Sequence, residues 1–366
     1  VAGVSFDRII GQERPKKILQ RALASRHLHH AYFFTGPEGS GKEALAIEFA
    51  KALYCSSQGV KPCDQCSLCR RVGQFNHPDF LFLMPMPKNT AVEEEREILD
   101  SVAEQPYSRK KPWPNPTISI ERIRELRRIS MLKPLELYRV IVIAEADKMT
   151  DEAANSLLKI LEEPPPNMYI ILTSSRPLTL PATIFSRCQE IRFSPLTDEQ
   201  VSTALVQTKG VEPGAARLIA RIVQGNFARA LEWLEEDLEE RRESVVELLR
   251  VCLRDPLAQI EYVEELQSRY DRRLLKDLLG LILIWFRDVQ VLRHGHAYGL
   301  DVREVLVNAD RMETLDKFSR AFAEIGFDDI FAEVERSIEW IDRNVQIPLI
   351  LTVLFMRLQR HLVLKG

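Results

Sequence analysis

The sequence has no apolar run long enough to cross a bilayer. Its longest, residues 278–286, is stopped by Arg287 and Asp288, well short of the roughly 20 residues a spanning helix needs, so a buried helix is expected there. No sign of charge dominates either. Fifty Lys and Arg stand against 53 Asp and Glu, for a net charge of −3, which excludes a surface that is cationic throughout and leaves only a local basic patch for nucleic acid, shared with partners. Residues 1–7 lack the basic segment and apolar stretch of a targeting signal, so a cytoplasmic location is expected. No internal repeat is present. What remains is an ordinary soluble composition, 45% hydrophobic and 28% charged, with 366 residues for two or three domains.

Two further absences bear on chemistry. Gly36-Pro37-Glu38-Gly39-Ser40-Gly41-Lys42 fits the G-x-x-x-x-G-K phosphate loop, but Glu43 follows where that pattern asks for a Ser or Thr hydroxyl on Mg²⁺. The buried-strand run 140–143 leads into Ala144-Glu145-Ala146-Asp147, so an alanine stands where a Walker-B aspartate would help hold the metal. A carboxylate at Glu43 would also repel phosphate, by roughly 4 kcal/mol for like charges about 4 Å apart at an effective dielectric of about 20. Lys42 and the backbone N–H groups of residues 39–42 could still surround phosphates. The loop is therefore expected without Mg²⁺ and without hydrolysis, and three uses stay open: empty, weakly holding ATP or ADP, or a plain strand-to-helix turn.

Four of the six cysteines fall within fifteen residues, Cys55, Cys63, Cys66 and Cys69, spaced C-x7-C-x2-C-x2-C. Such spacing suits four thiolates on one tetrahedral Zn²⁺, and four sulfurs leave no open position for catalysis. A structural zinc knuckle is expected. Cys188 and Cys252 stand apart and read as buried small hydrophobes.

Apolar strand runs at 31–34, 80–83, 140–143, 169–172 and 190–193 alternate with helical stretches at 42–54, 120–131 and 151–161, the pattern of a parallel sheet covered on both faces. Residues 85–116 carry six prolines, an acidic run at 93–95 and a basic run at 109–111, and read as a surface insertion, partly disordered. Arg122, Arg124, Arg127 and Arg128 line the exposed face of the 120–131 helix, interleaved with Glu121 and Glu125; a salt-bridged solvated face is favoured over a DNA-phosphate contact. Beyond 196 the strands stop. A small helical segment to 234 precedes long amphipathic helices over 235–366, a separate all-α domain.

The phosphate loop, the cysteine knuckle, His77-Pro78-Asp79, the run Ala144 to Thr150, Leu161-Glu162-Glu163-Pro164-Pro165 and Ser186-Arg187-Cys188, in this order, resemble a bacterial clamp-loader subunit of DNA polymerase III, of the delta-prime family, over residues 5–235. The resemblance implies an AAA+ P-loop domain over 1–195, a helical lid over 196–234 and a collar over 235–366, in a five-membered ring with gamma/tau-like and delta-like subunits that loads a sliding clamp onto primed DNA. It implies that Arg187 is an arginine finger reaching a neighbour's ATP. It places Glu145 where an acidic residue polarises water, Ser174 and Ser175 in the region of a polar sensor, and Arg229 where a lid arginine meets nucleotide. Glu43 and Ala144 favour a stationary subunit over the rival reading, an active gamma/tau-like motor. A stand-alone P-loop kinase is weaker, because it needs a working Mg²⁺ position and an acceptor site.

Overall fold

A computed structural model of the chain describes residues 3–107, 113, 116–235, 238–299, 301–303, 305–322 and 325–363. The chain divides into two compact units, one of residues 1–211 and 223–232, the other of residues 212–222 and 233–366.

The first unit is built on five parallel strands: β1 (Ala31–Thr35), β2 (Phe80–Leu83), β3 (Arg139–Ile143), β4 (Met168–Ser174) and β5 (Gln189–Arg192), in the order β2-β3-β4-β1-β5. α1 (Glu13–Ser25) precedes the sheet; parallel strands need crossovers, and helices supply them: α2 (Lys42–Tyr54), α3 (Ser67–Gly73), α4 (Val92–Glu104), α5 (Ile120–Ser130), α6 (Asp151–Glu162) and the short α7 (Ala182–Phe185). Central strands are buried on both faces, which is why β1 and β3 read as unbroken apolar runs rather than alternating ones. Alternation reappears in the packing. Tyr32, Phe34, Val140, Val142 and Ile171 face one core layer with α2 and α4, while Phe33, Ile141, Ile143, Ile170 and Leu172 face another with α5 and α6. The α/β class expected from the sequence is the one found, and α2 spans the expected residues.

Residues 85–116 differ from expectation. The acidic run Glu93-Glu94-Glu95, which counted toward a disordered surface loop, occupies the first turn of α4, where negative charge complements the helix dipole. Ile98 and Val102 are buried from that helix into the first core layer. The flanks are pinned together by Met86 N–H donating to Thr117 O at 3.0 Å. Residues 109–111, the basic run, lie outside the described residues.

After β5, Thr197 and Gln200 form a capping box that starts α8 (Asp198–Lys209); α9 (Pro213–Val223) and α10 (Phe227–Trp233) follow. The second unit contains α11 (Leu238–Val251), α12 (Pro256–Arg269), the 27-residue α13 (Arg272–Tyr298), α14 (Met312–Ala321), α15 (Phe327–Asp342) and α16 (Ile347–Val363). Its core includes Leu248, Leu279, Ile282, Phe286, Leu351, Phe355 and Leu358. Buried Asp288 on α13 accepts from Val307 N, Asn308 N and Asn308 Nδ2, at 3.2, 2.7 and 2.8 Å. No helix among the described residues is long and apolar enough to cross a membrane.

Candidate nucleotide site and cysteine cluster

The 36–42 loop joins β1 to the N-terminus of α2, the usual position for phosphate on a helix dipole. Gly39 (φ +69°) and Gly41 (φ +90°) take left-handed conformations that a side chain would strain. Lys42 is buried and curls back over the loop, its Nζ donating to Gly36 O (2.9 Å), Pro37 O (2.7 Å) and Ser175 Oγ (3.2 Å). Ser175, at the end of β4, is thus brought to the lysine. Ser174 is not: its hydroxyl donates to Asp147 Oδ1 at 2.7 Å. Ser40 Oγ closes on Pro37 O at 2.7 Å.

Glu43 and Glu145, the residue after Ala144, are linked through a residue the sequence reading missed. Thr173 Oγ1 donates to Glu43 Oε1 at 2.5 Å and accepts from Glu145 N at 3.0 Å. Ala144 is fully buried at the end of β3, and Glu145 follows in a left-handed conformation at φ +49°. The Glu43 carboxylate is therefore anchored on a β4 hydroxyl. Arg229 is buried on α10; its Nη1 donates to Glu232 at 2.7 Å, and its N–H is capped by Asn226 Oδ1. The turn before it rests on the loop, with Phe227 N donating to Gly39 O at 3.2 Å. A Cβ at Gly39 would lie 1.9 Å from Asn226 Oδ1. Asn226 and Phe227 flank the Arg229 singled out by resemblance, but their contact with the loop, like that of Thr173, comes from long-range packing.

Arg187 follows α7 at the surface. Its Nη2 donates to Glu162 Oε1 at 2.8 Å, and Nη1 to Thr183 O and Ser186 Oγ. Two of the sequence runs singled out above, Leu161 to Pro165 and Ser186 to Cys188, thus meet through this pair. The neighbouring Cys188, expected to be buried, is only partly so, and the burial it has pushes its thiol up to about 12. On α5, Arg122 pairs with Glu95 of α4 rather than with its own helix, and Glu121 approaches Lys88 at 3.9 Å.

Cys55 leaves α2, and Cys63, Cys66 and Cys69 surround the start of α3; the four sulfurs lie within 4.8 Å of one another. Four thiolates about 2.3 Å from a tetrahedral metal would sit about 3.8 Å apart, so the donor set and its convergence fit one Zn²⁺. Backbone N–H groups already point at the sulfurs, Cys66 N to Cys63 Sγ and Cys69 N to Cys66 Sγ, each at 3.4 Å. Burial raises the Cys66 thiol, but the N–H groups of Cys69 and Ser56 outweigh it and leave the thiol at about 6. The knuckle is fastened to α2 by Lys51 Nζ, which reaches Asp64 at 2.5 Å and Glu48 at 2.6 Å. Beyond it, His77-Pro78-Asp79 forms a buried clasp. Asp79 pairs with Arg139 Nη2 at 2.9 Å and accepts from Glu136 N, its own N–H donates to His77 Nδ1, and the Tyr54 ring packs against His77 at 4.2 Å, tilted by 35°.

A family model described as DNA polymerase III, delta subunit, matches residues 11–197. The delta-prime subunit of Bacillus subtilis is 30% identical over 289 residues, covering 78% of this chain and 79% of that protein. The chain belongs to the delta-prime family of DNA polymerase III subunits. The delta-prime subunit of Haemophilus influenzae matches at 30% over 59% of this chain and 58% of its own. The tau subunit of Bacillus subtilis is 31% identical over 63% of this chain, but the chain spans only 37% of tau. A solved Thermotoga maritima protein related to the gamma subunit aligns over 95% of this chain and 99% of its own at 17% identity, with a TM-score of 0.44, too loose a likeness to build on.

Proposed function

We propose that this delta-prime family member is a stationary clamp-loader subunit that completes a five-membered ring and lends Arg187 to a neighbour's ATP. The carrying observation is the Glu43–Thr173–Glu145 linkage: the residue in the Mg²⁺-ligand position is a carboxylate already engaged by β4, and Ala144 offers no oxygen beside it. A loop so built lacks both the hydroxyl and the aspartate by which the P-loop pattern holds the metal of phosphoryl transfer. Arg187 suits work in trans because its partner Glu162 is itself half-exposed, and exposed pairs are worth only about 0–1 kcal/mol. A guanidinium fork exchanged from Glu162 to a γ-phosphate would oppose the charge that grows on its oxygens.

In this reading residues 1–195 form the AAA+ module, 196–234 the lid and 235–366 the collar, in a cytoplasmic assembly with gamma/tau-like and delta-like subunits, the sliding clamp and primed DNA. Cys55, Cys63, Cys66 and Cys69 would hold one Zn²⁺ that crosslinks the knuckle to α2 and takes no part in chemistry. Metal analysis of protein purified without chelator should find about one zinc per chain; a stoichiometry well below that removes the assignment. The functional reading is tested in a reconstituted loader: Arg187→Ala should collapse ATP hydrolysis and clamp loading, and unchanged rates would refute the trans role.

The retained Lys42 and Glu145, with the tau likeness, favour a second reading, an active motor subunit. It predicts Mg²⁺-dependent ATP turnover by the isolated chain, stimulated by DNA and clamp, where the first predicts none.

A further inference from the structure

Tyr107 stands over the glycine-rich loop. Its hydroxyl accepts the Ile10 N–H at 2.8 Å, and its ring meets Phe227 edge to face at 5.1 Å and 79°. A Cβ added to Gly41 would lie 2.8 Å from the Tyr107 hydroxyl and 2.9 Å from Cε1. The phenol is therefore in contact with the backbone at the N-cap of α2. Burial there pushes its ionisation well above the ordinary tyrosine value, so it stays neutral.

These neighbours are what a nucleotide base requires. With the Tyr107 ring withdrawn, the space it fills beside the loop, the aromatic face at Phe227 and the Ile10 N–H would be left for a purine, whose ring nitrogens are acceptors. Tyr107 satisfies each of them with its own flat ring and acceptor oxygen. Lys42 and Ser40 nearby are likewise occupied by loop carbonyls. We propose that Tyr107 is an internal stand-in for a nucleotide base, and that a purine nucleoside diphosphate enters this pocket only by displacing it. The inference rests on the proposed function only in treating residues 36–42 as a nucleotide loop. It also gives residues 85–116 a purpose: α4 packs into the core and delivers the chain to Tyr107 at the mouth of the loop.

A closed pocket weakens apparent affinity by the fraction of time it is open. The probe is a fluorescent N-methylanthraniloyl ADP, used without added divalent cation on the intact chain. Tyr107→Ala should bind it about tenfold more tightly than the unaltered protein, or better. Tyr107→Phe, which keeps the ring and loses the acceptor, should fall between, and adding Lys42→Ala to Tyr107→Ala should remove the gain. Equal affinity of the unaltered and Tyr107→Ala chains, or no binding by either, overturns the proposal. A second measurement needs no variant. Saturating ADP should make Tyr107 of the unaltered protein more reactive toward nitration, and unchanged reactivity with ADP bound overturns it too. Neither result touches the proposed function, which is read on a neighbour's ATP through Arg187.

Discussion

Two arginine–carboxylate pairs in the first unit have nearly the same length and opposite meanings. Arg139 and Asp79 meet at 2.9 Å with side chains 5% and 1% exposed; Arg187 and Glu162 meet at 2.8 Å with side chains 32% and 49% exposed. The first pair is shielded from bulk solvent, whereas solvent competes at the second. Breaking a buried pair strands a charge and costs about 3–5 kcal/mol, whereas a surface pair can be exchanged for a new partner at little cost. The difference teaches that an arginine's availability for work elsewhere is set by its solvent, not by the quality of its hydrogen bond.

The largest effect that could break this comparison is on rate. Arg187→Ala should slow hydrolysis at the neighbouring site it serves by roughly 10³ to 10⁵ while moving the isolated chain's unfolding midpoint hardly at all; single-turnover ATPase of a reconstituted loader and thermal melts on one preparation check both halves. Asp79→Ala should do the reverse. It should destabilise the first unit by about 3–5 kcal/mol in urea titrations, with loader activity normalised to folded protein retained. Glu162→Ala sharpens the contrast further, costing no more than about 1 kcal/mol; a loss as large as that of Asp79→Ala would show that the surface pair is structural after all.

The smallest effect concerns acid. Burial, then the charge of Arg71, holds His77 below the ordinary histidine range. A group depressed in the folded state adds stability above its unfolded pKa, about 6.5, and loses it as pH falls through that value toward the folded one. The unfolding midpoint should therefore drop more between pH 7.5 and pH 5.5 in the unaltered chain than in His77→Phe, whose ring keeps the packing on Tyr54 but cannot titrate. Equal drops would remove His77 as the cause.

Legibility followed the range of the interactions. Residues 42–54 were readable as a helix because glycines punctuate its start and an unbroken apolar strand precedes it, both local signals. The cysteine cluster was readable from spacing alone. Arg139 was missed as the first residue of β3 because a charged strand residue makes sense only once Asp79 is beside it. The α4 helix was hidden by a composition that also describes disorder, and the two differ only in whether Ile98 and Val102 find a core. Thr173, Asn226 and Tyr107 owe their places to contacts over long sequence separations, and nothing in their own neighbourhoods announces them. The two serines placed near the loop by resemblance also part company: Ser175 accepts from Lys42, whereas its neighbour Ser174 turns to Asp147.

The Glu43–Thr173–Glu145 chain also bears on what a single exchange at position 43 or 144 would do. Restoring a hydroxyl at 43 alone would strip Thr173 of its acceptor at 2.5 Å without giving a cation its second oxygen. An aspartate at 144 alone would bury a new negative charge in a fully enclosed site beside the old one. Under the proposed stationary role, each single exchange loses a contact or buries a charge without completing a metal site, and Glu43→Thr with Ala144→Asp is the pair that would supply both oxygens.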